Sequence, residues 1–255
     1  MIPHLTQRIS VEINKMGSRL YKKWFRLLFS KEQTLTDRIK TLESENTKLR
    51  GQLELWSNEK DFHSIIQEIA GHSLVDHARC FRLFQLAKYA RSKEGDLSEV
   101  GVYKGGTAKL IAKTCSNKTI HLFDTFSGLP QEDPNIDVHH RGDFSDINLE
   151  GVQAFLKDCT NVVYHPGFFP DTAKGMTGNF CLVHVDVDLY QSVKDCLEFF
   201  YDKMLPGGVM VFDDYEWVDC PGVKKALDEF LHDKPETVIT TTKYQCMLIK
   251  VGNGR

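Results

Sequence analysis

Five short apolar runs alternate with helical segments between residues 96 and 232, and this alternation restricts the fold more than any other feature of the chain. Repeated strand–helix units form a parallel sheet with helices on both faces. Two further strands follow without a helix between them and predict an antiparallel hairpin at the sheet edge. Residues 62–91 are also predicted to be helical. The predicted strands are 96–102, 119–124, 162–167, 180–187, 208–214, 237–242 and 245–251, and the predicted helices are 106–115, 149–158, 190–204 and 221–232.

Acidic residues end two of the predicted strands. Asp186 and Asp188 follow one apolar run, and Asp213 and Asp214 follow another. Ligands of open α/β sheets bind at the carboxyl ends of the strands, so we expect the four carboxylates to share one crevice. Like charges at this spacing repel one another unless a cation neutralises them. Because Mg²⁺ prefers oxygen ligands, the sequence predicts a divalent metal site there.

The turn after the first strand indicates the kind of cofactor. Gly101 and Gly105 let a ligand approach the backbone closely. The turn matches neither the Gly-x-Gly-x-x-Gly fingerprint nor a P-loop. Glu99 would repel a diphosphate but would hold an ammonium group, and Asp124, at the end of the second strand, can bind ribose hydroxyls. An amino-acid group and a ribose in one ligand suggest S-adenosylmethionine.

Seven motifs occur in order along the chain. They are Glu99–Gly106, Asp124–Pro130, Gly167–Thr172, Asp186–Ser192, Leu205–Gly208, Phe212–Tyr215 and Cys220–Ala226. Together they resemble the macrocin O-methyltransferase (TylF/MycF-like) family over roughly residues 62–251. The resemblance implies an α/β fold with a class I (Rossmann-like) methyltransferase sheet. It also implies S-adenosylmethionine and Mg²⁺ as cofactors, and sugar hydroxyls of a glycan or natural product as methyl acceptors.

The resemblance also implies roles for individual residues. Asp186, Asp213 and Asp214 would hold the metal, and Asp188 would be the catalytic base beside Asp186. Asp188 lies two residues beyond Asp186, so a continuing strand would point both side chains to the same side. The alternative roles of Asp188 are a fourth metal ligand and a helix N-cap. Predicted cofactor-binding residues are Glu99, Gly101, Tyr103, Gly105, Thr107, Asp124, Gly167 and Phe168.

The long connection between Ser127 and Asn148 is rich in Pro, Asp and His. Connections of this length in compact domains are often lids or binding loops. Two tyrosines that follow the acidic pairs are candidates for the floor of the acceptor pocket. The predicted substrate-binding residues are His139, His140, Arg141, Tyr190 and Tyr215, with solvated loop positions as the alternative for the first three.

The N-terminal segments predict an appendage to a domain that covers residues 60–255. Residues 1–30 are predicted to form a basic amphipathic helix, for which we consider peripheral membrane contact or packing against protein. Residues 31–59 predict a coiled-coil dimerisation segment. Its d positions are Leu35, Leu42, Leu49 and Trp56, and its a positions are Ile39, Asn46 and Leu53. A single amphipathic helix packed on the domain is the alternative.

Composition narrows the remaining possibilities. The net charge of −3 makes a generally basic nucleic-acid-binding protein a poor interpretation. Seven scattered cysteines without a Cys-x-x-Cys pair predict a reducing, cytoplasmic location, with membrane association through residues 1–30 as an addition. Two other functions are considered. One is a metal-dependent glycosyltransferase that uses the Asp186-Val187-Asp188 motif, and the other is a non-catalytic coiled-coil scaffold.

Overall fold

The computed structural model describes residues 23, 30, 33–46 and 56–252. The chain divides into two compact units, Met1–Asn58 and Glu59–Arg255. In the first unit, residues 33–46 are helical. Apart from residues 23 and 30, the predicted amphipathic helix over 1–30 lies outside the described residues. Residues 31–32 and 47–55 of the predicted coiled coil also lie outside them.

The second unit alternates strands and helices, as the sequence predicts. Its helices are α1 (Lys60–Glu68), α2 (His77–Ala90), α3 (Gly106–Thr114), α4 (Leu149–Phe155), α5 (Tyr190–Phe200) and α6 (Pro221–Leu231). Its strands are β1 (Asp96–Val100), β2 (Ile120–Asp124), β3 (Val162–Pro166), β4 (Phe180–Val185), β5 (Met204–Asp213), β6 (Ile239–Thr242) and β7 (Gln245–Ile249). The helix predicted over 190–204 is α-helical as far as Phe200 and continues as a 3₁₀ turn over Tyr201–Lys203, and β5 begins at Met204.

One helix prediction is wrong. The continuous helix predicted over 62–91 is interrupted between α1 and α2. Gly71 has a φ of +78°, a conformation that ends a helix, and the Asp76 carboxylate then caps α2 by accepting hydrogen bonds from two backbone N–H groups. The intervening loop packs on the start of α3, where the Gly106 N–H donates to the His72 carbonyl at 3.0 Å. This loop therefore reaches the edge of the sheet at which the parallel strands end.

The seven strands form one sheet in the order β3-β2-β1-β4-β5-β7-β6. β1 to β5 are parallel, and β7 pairs antiparallel with both β5 and β6. The predicted closing hairpin is thus confirmed. The chain crosses over after β3, so β1 and β4 are neighbours at the centre, and the crevice above them is where ligands bind in open α/β sheets.

Successive side chains of the central strands point to opposite faces of the sheet. Val183 and Val185 belong to the apolar core that contains α5 and α6. His184 lies between them and therefore points to the other face, which α2 covers. Within the part of the chain that the structure describes, no helix combines the length and apolarity that a bilayer crossing requires.

Candidate active site

A cavity of about 400 Å³ opens at the edge where the parallel strands end. It brings together most of the residues predicted for the site, which are Gly101, Tyr103, Thr107, Asp124, His139, Gly167, Phe168, Asp186, Asp188 and Asp214. The other predicted residues do not line it, and they are Glu99, Gly105, Asp213, His140, Arg141, Tyr190 and Tyr215. The cavity therefore joins the loop after β1 to the acidic ends of β4 and β5.

Gly101 is the point at which the β1 loop meets the end of β4. Its φ is +85°, and a β-carbon there would lie 1.8 Å from the Asp186 carbonyl oxygen. The Asp186 N–H also donates to the Val100 carbonyl at 2.9 Å. A side chain cannot fit between two backbones at this distance, so only glycine allows the contact.

Asp124 organises the same loop from β2. Its Oδ2 accepts hydrogen bonds from the N–H groups of Val102 at 2.6 Å and Tyr103 at 3.0 Å. Its Oδ1 accepts from the Phe126 N–H at 2.7 Å. The carboxylate still lines the cavity. It therefore fixes the shape of the loop, and its predicted role in binding ribose remains a prediction.

Three carboxylates meet at the opposite wall of the cavity. Oxygen atoms of Asp186, Asp188 and Asp214 all lie within 4.8 Å of one another. Asp188 and Asp214 have φ values of +57° and +60°, a left-handed conformation that aspartate tolerates better than most residues. β4 has already ended at Val185, so the strand-continuation argument for Asp188 is wrong. Two left-handed turns bring these side chains together instead.

The environment of these carboxylates disfavours their charged forms. Burial, followed by repulsion from Asp214, raises the pKa of Asp188 to about 7. Burial and the charges of Asp213 and Asp214 raise the pKa of Asp186 well above its usual value. Acids in this state gain stability from any cation that binds between them. The cluster is therefore suited to a positive ligand.

Arg79 is a site residue that the sequence analysis missed. Its side chain is about one-tenth exposed, lines the cavity and donates to Asp214 Oδ1 at 3.1 Å and to Asp76 Oδ2 at 2.9 Å. Burial lowers the pKa of Arg79, but the charges of Asp213 and Asp214 outweigh this effect. The pKa is raised overall, so the guanidinium stays charged. The sequence did contain a signal for this role, because Arg79 is a basic residue next to Cys80, within the buried stripe of α2.

A chain of four buried side chains lies beneath the acidic cluster, one from each of four neighbouring strands. His184 Nδ1 lies 2.8 Å from Glu99 Oε1, and His184 Nε2 lies 3.1 Å from Asp213 Oδ2. The Gln245 amide donates to Asp213 Oδ1 at 2.7 Å. Burial lowers the pKa of His184, but its hydrogen bonds to Asp213 and Glu99 raise it well above the usual value. An imidazolium there lies between the two carboxylates and offsets one of their negative charges.

These buried hydrogen bonds change the interpretation of two predicted residues, Glu99 and Asp213. Glu99 is fully buried on His184, away from the cavity, so the structure does not place it where it could hold an ammonium group of a ligand. Both carboxylate oxygens of Asp213 have hydrogen-bond partners, and its side chain lies beneath the cavity wall. Asp213 is thus placed to support the acidic cluster from below.

The remaining predicted residues have contacts away from the cavity. Gly105 precedes α3 and faces Val152 of α4. Tyr215 belongs to the apolar core, so it does not form the floor of a pocket. The predicted pocket residue Tyr190 donates its hydroxyl to Glu229 at 2.5 Å.

The two basic loop residues next to His139 lie on the outer side of the connection between β2 and α4. His140 and Arg141 are exposed. The His140 ring lies 3.4 Å from a Glu132 oxygen, and the His140 backbone N–H donates to Asp143. The Arg141 backbone N–H donates to Glu132. His139 itself lines the cavity, with its Nδ1 3.1 Å from Asp143 Oδ2. The structure thus brings only the first of the three predicted loop residues into the site.

A side chain on a left-handed backbone costs about 1–3 kcal/mol by itself. Gly101→Ala is expected to lower the free energy of unfolding by more than this amount. The added methyl group must also displace the Asp186 carbonyl. Gly142→Ala is the matched control, because Gly142 has a φ of +90° and open space around it. Urea unfolding of both variants measures the difference, and equal losses would contradict the proposed close contact.

Comparison with known proteins identifies the fold first. The structure aligns with the O-methyltransferase NovP at a TM-score of 0.63 and 26% sequence identity, covering 71% of this chain and 83% of that one. The class I methyltransferase fold is therefore confirmed. The profile described as Macrocin-O-methyltransferase (TylF) matches residues 5–243, and the chain belongs to this family.

Two curated relatives match about half of the chain. One is the 8-demethyl-8-(2,3-dimethoxy-alpha-L-rhamnosyl)-tetracenomycin-C 4'-O-methyltransferase of Streptomyces olivaceus, 33% identical over 49% of this chain and 55% of that protein. The other is the demethyldecarbamoylnovobiocin O-methyltransferase of Streptomyces niveus, 30% identical over 53% of this chain and 58% of that protein. The chain thus spans little more than half the length of these relatives.

Proposed function

We propose that this protein is an Mg²⁺-dependent O-methyltransferase that transfers a methyl group from S-adenosylmethionine to a hydroxyl of a sugar or glycan. The observation that carries this proposal is the cavity whose two walls are the β1 loop and the cluster of Asp186, Asp188 and Asp214. Family membership supports the reaction. The rhamnosyl group in the name of one relative supports a sugar-containing acceptor.

The β1 loop provides the donor side of the cavity. Gly101 keeps side-chain atoms out of the path of a ligand that lies along the backbone, and Asp124 holds the Val102 and Tyr103 N–H groups in place. Thr107 and Phe168 line the same cavity. When bound, S-adenosylmethionine supplies an electrophilic methyl group on its sulfonium sulfur, and these residues would hold and orient it.

The acidic cluster fits a divalent cation. Mg²⁺ is commonly bound through one or two carboxylates while it keeps several other positions for water or substrate. Asp186 and Asp214 would supply these carboxylates, and burial and neighbouring negative charges, which raise the pKa of each, support a cation at this position. When bound, Mg²⁺ would act as a Lewis acid toward an acceptor hydroxyl. Asp213 would orient the pair from below, since it is bonded to His184 and Gln245.

Asp188 is the proposed general base. Its carboxylate lies within 4.8 Å of the Asp186 and Asp214 oxygens, so a hydroxyl held at the cluster would be within its reach. Asp188 would accept the proton of that hydroxyl, and the oxygen would then take the methyl group that S-adenosylmethionine supplies. A base positioned in this way contributes about 10²–10⁴-fold to a rate.

The two alternative functions are less well supported. A glycosyltransferase would use Asp186 and Asp188 with a nucleotide sugar, but the family profile and the NovP alignment both belong to O-methyltransferases. A scaffold would not need the three carboxylates beside a cavity. Calorimetry separates these functions. S-adenosylhomocysteine should bind, whereas binding of a nucleoside-diphosphate sugar alone would contradict the proposal.

The direct test is mass spectrometry of a panel of glycosylated acceptors that are incubated with the protein, S-adenosylmethionine and Mg²⁺. We expect a product that is heavier by one CH₂ because a methyl group replaces a hydrogen. Its amount should fall at least about tenfold with a chelator, since metal catalysis supplies several kcal/mol. Added Mg²⁺ should restore it. Equal product with and without chelator would contradict the metal requirement, and absence of S-adenosylhomocysteine binding would contradict the whole proposal.

Asp186→Asn is expected to weaken binding of Mn²⁺, used as a paramagnetic probe for the Mg²⁺ site, by at least about tenfold, because a carboxylate ligand becomes a neutral amide. S-adenosylhomocysteine affinity should change little, since the Asp186 backbone that contacts Gly101 is retained. Asp195→Asn on α5 is the control, because Asp195 does not line the cavity. Unchanged Mn²⁺ affinity in the Asp186 variant would contradict the assignment.

A further inference from the structure

The helix over residues 33–46 carries an exposed apolar stripe. Leu35, Ile39 and Leu42 are 64%, 54% and 49% exposed. Their spacing of four and three residues places them on one face of the helix, at the d, a and d positions of a heptad. Exposed apolar residues at single positions are ordinary, but a continuous stripe at heptad spacing marks a contact surface.

The outer face of the same helix is polar and has its own hydrogen bonds. The Thr41 hydroxyl donates to the Asp37 carbonyl at 2.9 Å, and the Thr34 hydroxyl donates to the Ser30 carbonyl at 2.7 Å. These threonines occupy c positions, away from the a and d seam. The helix therefore has one face that suits solvent and one face that suits an apolar partner.

An unsupported helix of this length is only marginally stable in water, because most helical stability in proteins comes from packing of an apolar face. We propose that the stripe binds a second copy of this chain in a parallel, in-register two-stranded coiled coil. The proposal concerns assembly, so it does not depend on the proposed reaction.

Asn46 determines the orientation of the two helices. It occupies an a position, so in a parallel in-register pair it lies opposite Asn46 of the second copy, and the two amides can hydrogen-bond. In an antiparallel pair, a positions lie opposite d positions, where this chain has leucines such as Leu35 and Leu42. That arrangement would bury an amide without a partner, at a cost of about 1–3 kcal/mol.

The charged flanks are complementary between two copies of the chain. In a parallel pair, each g position faces the e position five residues further along the other helix. Arg38 then faces Glu43, and Glu45 faces Arg50. Both pairs combine opposite charges, so self-pairing is favoured over pairing with a helix of unrelated charge pattern.

Sedimentation of the full chain tests the assembly. We expect the unaltered chain to sediment as a dimer and Ile39→Lys to sediment as a monomer, because the new ammonium group would lie in the seam. Ser44→Lys is the matched control, since it adds the same charge at the outer f position and should leave the dimer intact. A monomeric unaltered chain, or an Ile39→Lys variant with unchanged mass, would overturn the proposal.

Cysteine crosslinking tests the orientation independently of stability. Asn46→Cys should form a disulfide-linked dimer under mild oxidation, because a positions face each other only in a parallel in-register pair. Ser44→Cys should not, and it carries the same background from the native cysteines. Equal crosslinking of both variants, or none in the Asn46 variant, would overturn the parallel arrangement.

Discussion

Asp188→Asn is expected to lower the rate of methyl transfer by about 10²–10⁴-fold, the usual contribution of a general base. The amide keeps the size of the carboxyl group but cannot accept the proton. S-adenosylhomocysteine affinity should stay within about threefold, which corresponds to well under 1 kcal/mol. Initial rates of S-adenosylhomocysteine release with an acceptor from the panel, together with calorimetry, measure the two quantities.

Asp195→Asn provides the comparison for this experiment. Asp195 is an aspartate on α5 that accepts a hydrogen bond from Gln191 and does not line the cavity. We expect its variant to turn over at the unaltered rate. If Asp188→Asn retained full activity, Asp188 would not be the base, and the proton would have to leave through another group.

His184→Leu is expected to lower the free energy of unfolding by about 3–5 kcal/mol, the typical cost of removing one partner from a buried ion pair. The imidazole lies between Glu99 and Asp213, and all three side chains are excluded from solvent. Leucine fills similar space but leaves two buried carboxylates facing an apolar group. Urea unfolding of the full chain, analysed with an unchanged m-value, measures the loss.

Tyr201→Phe is the control for this stability prediction. It removes another buried hydrogen bond, which runs from the Tyr201 hydroxyl to Glu236. Tyr201 lies just before β5, at the end of the sheet opposite the cavity. Its expected cost is about 1.5–3 kcal/mol, typical of one hydrogen bond to a charged group. A His184→Leu loss no larger than the Tyr201→Phe loss would show that the imidazole does not offset the charges beside it.

The sheet could be predicted because each strand is marked by a short pattern of neighbouring residues in the sequence. Each parallel strand is a short apolar run, and each acidic pair directly follows such a run, so the carboxyl edge and its charges follow from the sequence alone. Gly101 could also be predicted, because a glycine at the end of a strand indicates a close backbone approach. The break between α1 and α2 had signals too, in Gly71 and the capping residue Asp76, and these outweighed the helical pattern around them.

The parts that could not be predicted depend on which strands become neighbours. Glu99 looks like a ligand-binding acid until β1 pairs with β4, in a register that places it beside His184. Arg79 reaches Asp214 across 135 residues of sequence, and no local pattern encodes that contact. Asp213 and Asp214 are adjacent in sequence, yet one is buried on His184 and the other lines the cavity.

The antiparallel strand β7 connects the C-terminal hairpin to the site through a hydrogen bond to Asp213. No residue of β7 lines the cavity, but Gln245 at its start holds one oxygen of Asp213. Natural variation or engineering in this hairpin can therefore alter the position of the Asp213 carboxylate at the centre of the sheet without altering any residue that lines the cavity. Comparisons of specificity among relatives should include this strand along with the pocket.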